Sequence, residues 1–286
     1  MRRPSMIEHE MVQMGTLEDL TGVFESLAST QVAKVKGKVE LSKDFFQLLW
    51  SRYVSIRIDP ASRITNREAG DGQSDTVFII ISAEAGLSGN IDQRLIETML
   101  VDYDPKTTDI VVLGTHGANQ LKQRGVGFTH YFQVPPTDKY IDVSPVINVI
   151  MPYNRVVVYY EEYVSLGDQE IKKIDLISTM KELSGDDGEE VVAIEDTIFE
   201  PSLDEIADAM EVTMMTLTLS QTVLESSLAQ AASRFNAMII AKKRAGELLG
   251  DYRLEFHRAK RSESDRALRE VMTTLKKKQK LRRATS

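Results

Sequence analysis

The sequence predicts an α/β protein in which long N- and C-terminal helices wind into an antiparallel coiled coil around an inserted α/β domain. Three observations carry this prediction. Proline is absent between Pro4 and Pro60 and again over the final 85 residues after Pro201, so both ends lack the strongest helix breaker. The C-terminal stretch repeats apolar or small residues every seven positions. Between the ends, short apolar runs alternate with amphipathic segments, which is a βαβ pattern. The expected divisions are an N-terminal helix over 1–60, an α/β domain over 75–200, and a C-terminal helix with a basic tail over 201–286.

The N-terminal helix rests on Leu17, Leu20, Phe24 and Leu27, spaced 3, 4 and 3, with Val35, Leu41, Phe45, Leu48 and Leu49 continuing an apolar face at looser intervals. Gly15, Gly22 and Gly37 weaken it locally, each by about 1 kcal/mol relative to alanine. Residues 61–74 (ASRITNREAGDGQS) read as a linker. Asp75 to Ser82 (DTVFIIIS) has the pattern of a buried strand, followed by the turn AEAGLSGN and an amphipathic helix from Ile91 to Val101. Asp109 to Leu113 repeats the strand, GTHG opens a short helix through Lys122, and a third strand lies near His130 to Val134. A helical segment near Val143 to Ile150 and a strand from Arg155 to Tyr163 complete a largely parallel, Rossmann-like three-layer domain. Residues 166–200 read as an edge hairpin bearing the acidic loop SGDDGEE.

In the C-terminal stretch Leu224, Ala231, Met238, Ala245, Tyr252 and Ala259 occupy one seam position, and Leu228, Phe235, Leu249 and Phe256 the other, with Lys242 as an interruption. Pro201, Ser202, Asp204 and Glu205 supply start signals. A helix over 202–275 would run roughly 100 Å at the usual rise per residue. A lone helix of that length would leave its stripe in water, so the N-terminal helix is its expected partner, antiparallel.

Composition narrows the chemistry. The chain has 286 residues, 42% hydrophobic and 27% charged, ordinary for a globular protein. With no cysteine, disulfides, thiolate catalysis and thiolate metal sites are excluded. His9, His116, His130 and His257 are scattered, so no metal site is expected. The longest apolar runs, such as Val77 to Ile81, fall far short of a membrane span, and the N-terminus lacks the apolar core of a secretory signal. The net charge of −8 is uneven: residues 231–286 carry 16 Lys and Arg against 6 Asp and Glu, whereas 1–230 carry 19 against 37. The basic end suits an acidic protein surface, anionic lipid or nucleic acid.

Ser82 to Asn90 is a glycine-bearing strand-to-helix loop, but it matches neither GxGxxG nor GxxxxGK[ST] and no lysine follows to meet a phosphate. Gly86 and Gly89 read as turn residues, and no cofactor is expected. The carboxylates Asp102, Asp104, Glu161, Glu162 and those from Asp186 to Glu190 read as solvated, without calcium-loop spacing. The tail LKKKQKLRRATS lacks interleaved aromatics and is expected to be solvated or to contact protein. Its RRATS ending resembles a basic-directed phosphorylation site.

The combination resembles the gamma subunit of rotary ATP synthases. SAEAGLSGNID, Ser82 to Asp92, is similar to the signature after that family's first strand: Gly86, Leu87 and Gly89 coincide, whereas Ala85, Ser88 and Asn90 depart. LTGVFESLASTQVAKVK, from Leu20, is similar to the family's N-terminal helix, and SRFNAMIIAKKRAGELL, from Ser233, to its C-terminal helix. The resemblance implies a central rotor shaft, not an enzyme, with ATP chemistry on beta subunits. It implies as partners a head of three alpha and three beta subunits, an epsilon subunit and a membrane c-ring, at the cytoplasmic side of the plasma membrane without a span. Phe24, Arg234, Phe235, Met238, Arg261 and Asp265 are the implied shaft and head-contact residues. At Arg261 and Asp265 the family commonly has glutamine and threonine, and it usually ends near Leu275. The absence of cysteine excludes the thiol switch of chloroplast members and points to a bacterial-type protein. The competing classes are a nucleotide-binding α/β enzyme and a coiled-coil adaptor or nucleic-acid-binding protein using the basic tail.

Overall fold

The computed structural model describes residues 2–55, 76–134, 141–176 and 203–284. The expected linker at 61–74 and the acidic loop at 184–190 lie outside them. The elements in order are α1 (Pro4–Ser55), β1 (Thr76–Ile81), α2 (Ile91–Asp102), β2 (Thr108–Leu113), α3 (Thr115–Gln123), β3 (His130–Phe132), α4 (Ser144–Ile150), β4 (Arg155–Tyr163), β5 (Gln169–Asp175) and α5 (Leu203–Ala284). The chain divides into two compact units: Leu27–Ala237, and Met1–Ser26 with Met238–Ser286. The helices α1 and α5 contribute to both.

In the first unit the sheet order is β3-β2-β1-β4-β5. β1 pairs in parallel with β2 and β4, β2 in parallel with β3, and β5 closes the edge antiparallel to β4. The sheet is therefore mixed; β5 pairs with β4 across a turn at 164–168, and the rest of the hairpin expected over 166–200 lies outside the described residues. Strands buried on both faces need apolar residues at every position, which is why TVFIII and VVVYY read as unbroken runs and not as alternation. Phe78 and Ile80 with Ile110, Val112, Val157 and Tyr159 face Leu95, Ile96 and Met99 of α2 and Ala118 and Leu121 of α3. Val77, Ile79 and Ile81 with Val111, Leu113, Val156 and Val158 face Val146 and Ile150 of α4, Val35 and Val39 of α1, and Met214, Leu219 and Val223 of α5. The two terminal helices thus form part of the second covering layer, a role the sequence pattern does not reveal.

The second unit joins the start of α1 to the latter part of α5. Lys242 Nζ lies 2.9 Å from Glu25 Oε2. A Cβ built on Gly22 would stand 3.7 Å from the Lys242 side chain, and one on Gly246 3.3 Å from Glu18. As numbers fall along α1 they rise along α5, so the two segments run antiparallel. On α5 the buried positions are Met238, Ala245, Leu249 and Ala259, as the seven-residue repeat predicts. Lys242, which interrupts that repeat, is matched by Glu25.

On α1 the packed face differs from the expected one. Leu17, Leu20, Phe24 and Leu27 are exposed, Leu20 at 50% and Phe24 at 38%. Leu41, Phe45 and Leu48 are exposed as well. The inward positions are Ile7, Met14, Thr21, Ala28 and Val35, spaced by sevens, with Ile7, Thr21, Ala28 and Val35 fully buried. At Thr21 and Ala28 small residues take the inward face, where they let a neighbouring backbone come close, whereas size alone favours the leucines. From residue 263 to 277 every residue of α5 is exposed, including Leu268, Val271, Met272 and Leu275. The helix continues to Ala284, so the basic tail is largely helical up to that point.

Candidate functional site

The strand order places β1 between β2, reached through α2, and β4, reached from the opposite side. At such a switch point the carboxyl ends of the strands leave a crevice, the usual ligand position of doubly wound sheets. Here the crevice holds the turn Ser82–Asn90 and one face of α5. Leu87 and Gly89 both adopt positive φ, near +71° and +70°, so the turn doubles back tightly. Leu87 is a non-glycine residue in this region and is 54% exposed.

The turn is held from below by the next crossover. Ser82 Oγ donates to the Leu113 carbonyl at 3.0 Å and accepts the Gly117 N–H at 2.9 Å. Gly114, at φ +103°, and Gly117 make this possible: a Cβ on Gly114 would fall 2.2 Å from the Ser82 carbonyl oxygen, and one on Gly117 2.5 Å from Ser82 Oγ. Glu84 accepts from Thr115 at the start of α3 and, at 2.7 Å, from the N–H of Val134. Asp92, in the first turn of α2, accepts the Ala83 N–H at 2.8 Å and the Ser88 hydroxyl at 3.2 Å. A carboxylate is favoured at that helix start. His116 Nδ1 stands 3.4 Å from the same carboxyl.

From above, α5 supplies Ser226, Gln230, Ser233 and Arg234, spaced so that they share one helix face. Ser226 Oγ donates to the Ile81 carbonyl at 3.4 Å, and Gln230 Nε2 donates to Ser226 Oγ at 3.0 Å. Ser233 Oγ donates to the Ser88 carbonyl at 2.7 Å. Arg234 donates through Nε to the Gly86 carbonyl at 3.2 Å and through an Nη to that of Ala85 at 3.1 Å. Asn236 adds a 2.6 Å bond to the Leu166 carbonyl in the β4–β5 turn. Burial lowers the proton affinity of Arg234, and the charge of Asp92 opposes that. The crevice is therefore filled by the protein's own helix, whose guanidinium and hydroxyls donate to the carbonyls of the turn.

Of the residues expected to matter, Gly86, Leu87, Gly89 and Arg234 meet in this clasp. Phe235 is half-buried and Met238 buried, while Phe24, Arg261 and Asp265 are exposed. The sequence reading missed Asp92, Ser226, Gln230 and Ser233. It also misplaced Glu161, which is fully buried instead of solvated. Glu162 does lie at the surface, 2.6 Å from Lys172, and Asp102 is paired with Lys173 and the Tyr159 hydroxyl, both at 2.7 Å. Those two donors, Lys173 first, hold Asp102 below the usual aspartate range. The signal available for Glu161 was its position at the end of an otherwise continuous apolar strand. Among the described residues no group of three or more acidic or histidine side chains is placed to hold a metal ion, and no helix is long and apolar enough to cross a membrane.

Arg234, which the resemblance implied as a shaft or head-contact residue, is bonded instead to the carbonyls of the glycine turn, from a helix of 82 residues. A family model described as ATP synthase matches residues 5–276. The chain belongs to the ATP synthase gamma family. An ATP synthase gamma chain of Staphylococcus aureus (strain JH9) is 24% identical over 207 residues, covering 68% of this chain and 71% of that one. Among solved structures, a chain from the Tetrahymena thermophila mitochondrial ATP synthase central stalk and c-ring aligns with a TM-score of 0.56 at 14% identity, covering 78% of this chain and 99% of that one. A chain from the Euglena gracilis mitochondrial ATP synthase aligns with a TM-score of 0.56 at 12% identity, covering 89% and 94%. At such identities these structures speak to the fold, which gamma-family membership then connects to a role. The gamma match ends at Lys276, so the last ten residues lie beyond it.

Proposed function

We propose that this chain is the central stalk of a rotary ATP synthase, transmitting torque between an ion-driven membrane ring and a catalytic head. The single observation that carries this reading is α5: one continuous helix whose earlier part is clasped to the α/β sheet and whose later part carries uncovered apolar and basic faces. A turning force applied to the sheet passes into α5 through the hydrogen bonds of Arg234, Ser233 and Ser226.

The paired ends of α1 and α5 act as a coiled-coil shaft. Antiparallel contacts at Glu25 with Lys242 and at Glu18 with Gly246, and the seven-residue burial pattern, support this. On its outside, Leu17, Leu20 and Phe24 form an apolar stripe, and Arg258, Arg261 and Arg269 with Asp265 form a charged one. These faces suit the lining of a ring of three alpha and three beta subunits. Because an apolar and a charged stripe make the surface uneven, each catalytic subunit meets a different face as the shaft turns, and its affinity for ADP, phosphate and ATP changes in sequence. The active sites belong to the beta subunits. The α/β unit is left for the epsilon subunit and the c-ring, with the assembly peripheral on the cytoplasmic face of the plasma membrane.

The test is recovery of the assembly. Tagged chain from gently solubilised native membranes should bring down a particle several times its own mass with ATPase activity. Free monomer alone would overturn the reading.

A further inference from the structure

Glu161 is a buried acid that torque transmission does not require. It sits at the end of β4, 0% exposed, in the layer between the sheet and α5. The antiparallel neighbour on β5 sets apolar Ile171 opposite it. From α5 come Ser226, Gln230 and the charge of Arg234; from the start of α2 comes Asp92, itself 2% exposed, with His116 of α3 behind it. Neither carboxyl oxygen of Glu161 has a well-formed hydrogen bond, although Asp92, Gln230 and Ser226 all stand beside it.

The charge count decides the state of this group. Two carboxyls share one guanidinium, and Arg234 also serves the Ala85 and Gly86 carbonyls. Asp92 is committed as an acceptor to Ala83 and Ser88. A second negative charge in this dry layer would be neither solvated nor paired. Burial first, and the charge of Asp92 second, raise the proton affinity of Glu161 well above that of an ordinary glutamate.

We propose that a proton held at Glu161 against Asp92 is a structural part of the joint between sheet and α5, and that losing it in alkaline solution loosens the joint. Protonated, the carboxyl is neutral, and its O–H can donate to an Asp92 oxygen while its carbonyl accepts from Gln230. Deprotonated, it repels Asp92, which holds the turn to α2, and competes for Arg234, which holds the turn to α5. The joint therefore loses grip at both of its ends together.

The direction with pH follows from proton counting. Below the ordinary glutamate range the folded and unfolded chains both hold the proton, and Glu161 has no effect on the balance. Above it the unfolded chain releases the proton while the folded chain keeps it, so stability falls as pH rises until the folded state ionises too. Glu161→Gln keeps the size and neutrality of the protonated acid and removes this dependence.

The inference concerns the folded chain alone and stands or falls apart from the rotary reading. It is tested on the purified full chain by thermal unfolding from about pH 5 to about pH 9, wild type against Glu161→Gln. The gap between the midpoints is expected to be smallest at the acid end and to widen, in the variant's favour, by several degrees toward the alkaline end. Parallel curves would overturn the proposal. Infrared spectroscopy of the same samples should show a protonated-carboxyl carbonyl band in the wild type at neutral pH. Its absence would also overturn the proposal, whether or not the variant folds. Hydrogen exchange supplies the joint itself: amides of 82–90 and 226–234 should lose protection in step with that band as pH rises, and unchanged protection through the loss of the band would refute the link.

Discussion

Arg234 and Gly114 show how much of the clasp rests on single groups. Arg234→Met removes two charge-assisted bonds to the turn, so a loss of about 2–4 kcal/mol is expected in denaturant unfolding. Arg234→Lys should restore little of it, because a single ammonium lacks the fork that spans the two carbonyls. Gly114→Ala places a methyl 2.2 Å from a backbone oxygen at a φ that L side chains avoid, and should cost about 3 kcal/mol or more. At this scale the sequence was half legible. Gly86, Gly89 and Arg234 stood out by family resemblance, but Asp92 and the α5 hydroxyls look like any polar residues on a helix. In VVVYYEEY the one mark of Glu161 is that it directly continues the apolar run, which Glu162, half-buried beside Lys172, does not.

The elements themselves follow from their sequences closely, since buried parallel strands and proline-free heptads each leave a strong pattern. What failed was the choice of face on α1. Leu17, Leu20, Phe24 and Leu27 have helical spacing and large side chains, yet Thr21 and Ala28 point inward, and only knowing the partner helix separates the two stripes. The expected consequence is measurable on the isolated chain: Leu20→Ala should change stability by no more than about 0.5 kcal/mol, whereas Leu249→Ala should cost about 2 kcal/mol or more. In the assembled particle Leu20→Ala should instead weaken the hold of the head on the stalk, read as lower recovery of ATPase with tagged chain. The pairing of the helices can be tested cleanly because the chain has no cysteine. Cysteines at Glu25 and Lys242 should be joined in high yield by a short thiol cross-linker, and failure to join would contradict the observed pairing.

For the whole molecule, the decisive property is a helix that belongs to two units at once. Fold class and family were legible from proline distribution, the heptad seam and three short motifs, because each reports a long-range constraint on the chain. The filling of the switch-point crevice by α5 was not, since that contact joins residues about 145 positions apart. It explains why a doubly wound sheet here has no nucleotide loop: the site is used to grip a helix. The central claim is that this chain turns while a head hydrolyses ATP. The direct measurement immobilises the alpha and beta subunits, attaches a probe to the α/β unit of this chain, and follows single particles after ATP is added. One-way rotation with three dwell positions per turn is the predicted result; a probe that only jitters about one orientation while ATP is consumed would contradict it.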